Sequence, residues 1–168
     1  MSVRLLRRAA IALLTVGVVL GFSAVPASAN GVDQLRRQNG NVCVVVRGAA
    51  ENAPAVLTTC ANYADQKWNA VEHTGGWWSF HNENSGKCLA VHGTANDTQA
   101  VQTTCALSQN PDQRWWLEVF GDDLWGFRNV NSGKCLVGKG AAGGRVVQST
   151  CDGDRYTDQR WYHGGVQL

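Results

Sequence analysis

The pattern Asp-Gln-Lys/Arg-Trp occurs three times, as Asp65-Gln66-Lys67-Trp68, Asp112-Gln113-Arg114-Trp115 and Asp158-Gln159-Arg160-Trp161, with the tryptophans 47 and then 46 residues apart. A fixed period of this length marks one supersecondary unit used three times. Each copy carries a cysteine pair ahead of its tryptophan: Cys43 and Cys60, Cys88 and Cys105, Cys135 and Cys151, separated by 17, 17 and 16 positions. Asn84-Ser85-Gly86-Lys87-Cys88-Leu89 recurs unchanged as Asn131-Ser132-Gly133-Lys134-Cys135-Leu136, and Gln38-Asn39-Gly40-Asn41-Val42-Cys43 is a diverged first copy.

Ahead of the repeats, Arg4, Arg7 and Arg8 precede an apolar run from Ala9 to Phe22 and then Ala27-Ser28-Ala29. This order predicts a secretory signal peptide over residues 1–29, cleaved before Asn30, and hence an extracellular protein. The competing reading is a retained anchor, but a bilayer span needs ~20 apolar residues and this run has 14. Arg7-Arg8 also hints at twin-arginine export, yet six cysteines and no cofactor motif favour ordinary unfolded export. No membrane span is expected in the mature chain.

The remaining 139 residues suffice for one domain with its own core. Without the leader arginines, 12 basic residues stand against 13 acidic ones, which leaves no charge excess to hold nucleic acid. An even cysteine count in an exported chain implies disulfides. Six cysteines allow 15 pairings, and threefold repetition favours the three bonds within repeats. Each would contribute about 3 kcal/mol if its effect is chain entropy.

Between the landmarks lie short apolar and β-branched runs: Trp77 to His81, Cys88 to Val91, Ala100 to Thr104, Leu124 to Asn129 and Arg145 to Ser149. Gly, Asn, Asp and Ser clusters separate them, as they separate strands. No stretch of helical length after Asn30 keeps a 3.6 period without a glycine or proline break. The chain reads as all-β, with Trp68, Trp115 and Trp161 in the core and each glutamine two places earlier tying down a turn. The period also suits a propeller blade, but three blades fall below the usual four to eight. Closure about a pseudo-threefold axis fits better, with repeats spanning about 35–76, 77–122 and 123–165.

The Gln-x-Trp triplets, the Ser-Gly-Lys-Cys-Leu segments and the cysteine spacing resemble the ricin B-type lectin domain, a β-trefoil, over about Leu35 to Tyr162. The resemblance implies three four-stranded units, each offering one shallow surface pocket for a sugar. It also implies a carboxylate two residues after the first cysteine of each repeat, where this chain has Val45, Ala90 and Val137. A stacking aromatic is implied two residues before the second cysteine, where Thr58, Thr103 and Ser149 stand. The family's asparagine before the Gln-x-Trp glutamine is replaced by Asp65, Asp112 and Asp158, while Gln66, Gln113 and Gln159 match.

Three aspartates in place of three asparagines relocate a carboxylate to the old pocket. The competing reading has each aspartate accept turn amide hydrogen bonds. Position four after the first cysteine holds Arg47, His92 and Lys139, each followed by glycine. Such a cation faces an anionic sugar or a carboxylate, or simply a solvated turn. Ligand contacts are therefore expected at Asp65, Gln66, Asp112, Gln113, Asp158, Gln159 and His92. The pairs Trp77-Trp78 and Trp115-Trp116 must split between two faces if they lie in strands, which leaves one member of each either exposed as a binding surface or partly buried under loops.

His73, His81, His92 and His163 show no metal-ligand spacing, so neither a metal nor another cofactor is expected. The cysteines are committed to disulfides and no nucleophile or phosphate-loop motif occurs. Because the repeats consume nearly the whole mature chain, the expectation is a monomeric, non-enzymatic module that binds carbohydrate. The alternative is a trefoil that binds a secreted or cell-surface protein, as a toxin delivery subunit or an inhibitor does.

Overall fold

The computed structural model describes residues 31–121 and 123–164; the expected signal peptide lies outside them. In the first repeat the strands are β1 (Gly31–Gln34), β2 (Arg36–Arg37), β3 (Val42–Val45), β4 (Val56–Thr59) and β5 (Lys67–Glu72). The second holds β6 (Trp78–Asn82), β7 (Cys88–Val91), β8 (Ala100–Thr103) and β9 (Trp115–Gly121). The third holds β10 (Leu124–Asn129), β11 (Cys135–Gly138), β12 (Val146–Ser149) and β13 (Trp161–Tyr162). Trp77, Thr104 and Arg145, expected at strand ends, fall just outside.

Pairing runs β1-β5-β6-β9-β10-β13-β2, all antiparallel. β1 and β2 flank Leu35 in one continuous segment, so this path closes into a six-stranded barrel. The hairpins β3-β4, β7-β8 and β11-β12 cap one end. They join one another through equivalent bridges, Pro54 to Val101, Gln99 to Val147 and Arg145 to Val56. Six barrel strands and three capping hairpins, related by threefold repetition, are a β-trefoil.

The core takes the same residues from each unit. Trp68, Trp115 and Trp161 are fully buried, and their indole N–H groups donate to Val44 O, Leu89 O and Leu136 O at 3.2, 3.2 and 3.1 Å. Leu35, Phe80 and Phe127 fill equivalent places on the first barrel strands, the two phenylalanine rings meeting edge-on at 4.7 Å. Indole burial supplies the hydrophobic term, and the satisfied N–H avoids a stranded donor.

Each repeated Asn-Ser-Gly-Lys turn folds back on an asparagine. Asn82 Oδ1 accepts from the Asn84 and Ser85 amides, and Asn129 Oδ1 from those of Asn131 and Ser132. Gly86 and Gly133 then take φ of 68°, a left-handed conformation that glycine adopts without steric cost. The turns lead directly into the cysteines, whose disulfides join Cys43 to Cys60, Cys88 to Cys105 and Cys135 to Cys151.

Candidate functional site

A single turn of 3-10 helix precedes each core tryptophan, at Ala64–Gln66, Pro111–Gln113 and Thr157–Gln159. Its closing glutamine reaches back across the second cysteine of the repeat. Gln66 Nε2 donates to Thr59 O (3.2 Å) while Oε1 accepts from the Ala61 amide (2.7 Å). Gln113 bonds Thr104 O and the Ala106 amide, and Gln159 bonds Thr150 O and the Asp152 amide, in the same manner. These buried amides, bonded through both nitrogen and oxygen, fix the turn and with it the preceding aspartate.

The aspartates do not cap their turns. Oδ1 of Asp65, Asp112 and Asp158 is buried without a hydrogen-bond partner, so no turn amide caps it, and in the first two repeats Oδ2 is the oxygen that meets a partner. What meets it differs between repeats. Arg47 Nη1 lies 2.5 Å from Asp65 Oδ2. His92 Nδ1 lies 2.6 Å from Asp112 Oδ2, with its Nε2 3.0 Å from Asn52 Oδ1. Lys139, the equivalent cation in the third repeat, pairs instead with Asp97 at 3.4 Å. Among the described residues no ion pair or hydrogen bond reaches the Asp158 carboxylate.

Asp158 therefore faces an open cavity of about 420 Å³, which Asn96, Val137, Ser149, Thr150, Asp152, Tyr156 and Gln159 also line, together with Lys139. The Tyr156 ring is exposed, and Arg155 stands over it at 5.2 Å. The first-repeat cavity, about 460 Å³, has the equivalent Tyr63 but also holds Arg47 against Asp65. In the second repeat Asn110 takes the place of the tyrosine. Val45, Ala90 and Val137 are buried and their side chains offer no oxygen; Val137 lines the third-repeat cavity.

The remaining polar clusters are structural. Glu51 accepts from Lys87, from the hydroxyls of Thr103 and Thr104 and from the Thr104 amide, and Lys87 foremost holds its carboxyl down at about 2. His73 and His81 each sit 2.8 Å from Ser79 Oγ, and burial pushes both imidazoles below 6.5. His81 also approaches Cys88 and Cys105, but those sulfurs are bonded to each other and supply no thiolate to a metal. Trp78 is buried while Trp77 stacks on His73 at 3.9 Å. Trp115 is buried while Trp116 is exposed.

A sequence profile described as "Ricin-type beta-trefoil lectin domain-like" matches residues 22–103 and again 64–149. The chain belongs to this ricin-type lectin family. Among solved structures, the designed threefold-symmetric protein ThreeFoil is 21% identical, with a TM-score of 0.73 over 78% of this chain and 96% of that one. The haemolytic lectin CEL-III is 28% identical, with a TM-score of 0.63 over 78% of this chain and 29% of that one. An exo-β-1,3-galactanase from Clostridium thermocellum is 23% identical, with a TM-score of 0.70 over 77% and 29%. The chain thus spans under a third of the length of the latter two proteins. No curated protein sequence matches it.

Sequence reasoning missed the residues that each repeat lends to the next. Glu51 and Asn52 of the first repeat reach the second-repeat site, and Asn96 and Asp97 of the second reach the third. Their common offset from Cys43 and Cys88 was visible; the partner across the repeat boundary was not. Tyr63 and Tyr156 share a place two residues before the aspartate and were equally open to alignment.

Proposed function

We propose that the protein is a secreted, non-enzymatic carbohydrate-binding module, acting as a monomer, whose working pocket is that of the third repeat. The observation that carries this reading is the unpaired Asp158 carboxylate beside the exposed Tyr156 ring. A carboxylate accepts hydrogen bonds from two adjacent hydroxyls, and an aromatic face packs the apolar side of a pyranose ring. Asn96 and Thr150 add amide and hydroxyl groups on the rim, and the cavity volume suits a monosaccharide or a chain end. Asp152 and Asp158 line the cavity against one cation, Lys139, itself paired with Asp97, so the local charge favours a neutral glycan over an anionic one.

In the first two repeats the same carboxylate is held by an internal basic side chain, Arg47 or His92, so one sugar per chain is bound. Gln159 supports the site through its clamp. His92, expected as a ligand contact, instead occupies Asp112.

The test is a panel of neutral and sialylated glycans and insoluble polysaccharides, applied to the oxidised mature protein and to Asp158→Asn and Tyr156→Ala. Binding to neutral members, lost in Asp158→Asn, is the expected result. Silence across the panel overturns the reading and turns attention to a protein partner.

A further inference from the structure

The three aspartates are equivalent, yet only one is free, and the difference originates in the neighbouring repeat. The hairpin turn of each unit lays one residue on the next unit, donating its amide to a fixed strand carbonyl. Asn52 donates to Gln102 O (2.9 Å), Asp97 to Gln148 O (2.8 Å) and Gly143 to Leu57 O (2.8 Å). All three hold left-handed φ values, 59°, 60° and 89°, where Asn, Asp and Gly are tolerated. The position is thus occupied by a neutral amide, a carboxylate and no side chain in turn.

The cation next to each such residue behaves accordingly. In the first repeat the position is Gly143, which offers no side chain, and Arg47 pairs with Asp65. His92 meets the uncharged Asn52 and bridges it to Asp112. Lys139 meets Asp97 and pairs with it. We propose that Asp97 is the residue that leaves the Asp158 carboxylate free in the third-repeat pocket, by engaging Lys139, which lines the same cavity, in an ion pair of its own. It is a positioning residue donated across the repeat boundary, and it decides which of three equivalent pockets is available.

Asp97 is well placed to hold a charge in register. Its amide is bonded to Gln148 O and its carbonyl accepts from Arg145 Nη2 at 2.9 Å. Gln148 in turn donates to Gly93 O and Ala95 O at 3.1 and 2.9 Å, which fixes the turn that carries Asp97. Lys139 pairs with Asp97 and shares the cavity with Asp152 and Asp158. Of those two carboxylates, Asp158 is the one equivalent to the partners of Arg47 and His92 in the other repeats, so removing the Asp97 carboxylate directs Lys139 to it.

This inference rests on the sugar-site reading for its consequence but not for its geometry, and the two fail separately. The variant Asp97→Asn keeps the left-handed conformation that Asn52 already adopts, so it should fold. A crystal structure of that variant without ligand is expected to show Lys139 Nζ within ion-pair distance of Asp158. Lys139 Nζ remaining beyond ion-pair distance of Asp158 overturns the proposal whether or not any sugar binds. The second readout is affinity for the methyl glycosides of galactose, mannose and N-acetylglucosamine. Asp97→Asn should weaken whichever of these binds by roughly fivefold, the worth of one exposed ion pair, and adding Lys139→Met should restore it. Unchanged affinity in Asp97→Asn beside clear binding by the wild type refutes the role of Asp97. Binding of none by the wild type refutes the sugar site and leaves the crystal structure to decide the inference.

Discussion

Replacing Trp115 tests whether the repeated tryptophans hold the trefoil together. The indole is fully buried, and burying an aromatic of this size removes on the order of 200 Å² from water. At about 25 cal/mol per Å² that is about 5 kcal/mol, in line with the 3–5 kcal/mol typical of Trp→Ala in cores. The hydrogen bond to Leu89 O adds about 1 kcal/mol. Trp115→Ala should therefore lose about 4–6 kcal/mol. Trp115→Phe keeps most of the apolar surface and loses the N–H, for about 1–3 kcal/mol. Urea unfolding of the oxidised proteins, followed by far-ultraviolet circular dichroism, measures both. A loss below about 1 kcal/mol for the alanine variant, or equal losses for the two, would refute the reasoning.

Other outcomes follow from the same geometry. Arg47→Ala frees Asp65 beside the exposed Tyr63, so titration calorimetry with a glycan that binds the wild type should rise from one site per chain to two. A stoichiometry still at one would show that the cation is not what closes the first pocket. His163 is buried against Phe80 with its imidazole 2.9 Å from Trp68 O, and burial pushes it below 6.5. A lowered folded-state value means that the unfolded chain takes up the proton first. The stability His163 contributes is therefore complete above pH 6.5 and falls as pH drops through the window beneath it. The urea midpoint should decline on acidification through that window, and less so in His163→Gln.

Fold and site were legible in the sequence to different depths, for a physical reason. Trp68, Trp115, Trp161 and the glutamines before them act within one repeat, so their spacing carries their roles directly. The disulfides were legible for the same reason, since each closes inside its own unit. Asp65, Asp112 and Asp158 are indistinguishable by position, and their fates are set by Gly143, Asn52 and Asp97 in the adjoining unit. A linear repeat alignment shows that these three positions correspond; it does not show which cation each one meets. The same limit explains the aspartates' expected role in their own turns. Only the folded turn shows Oδ1 turned away from every amide.

The most direct test of a single working pocket is a two-dimensional amide spectrum of the mature protein, titrated with a neutral methyl glycoside that binds. The account predicts that shifts cluster at Asn96, Thr150, Tyr156 and Asp158, while Tyr63, Asp65, Asn110 and Asp112 stay in place. Shifts at all three turns alike, or at the first or second alone, would contradict it.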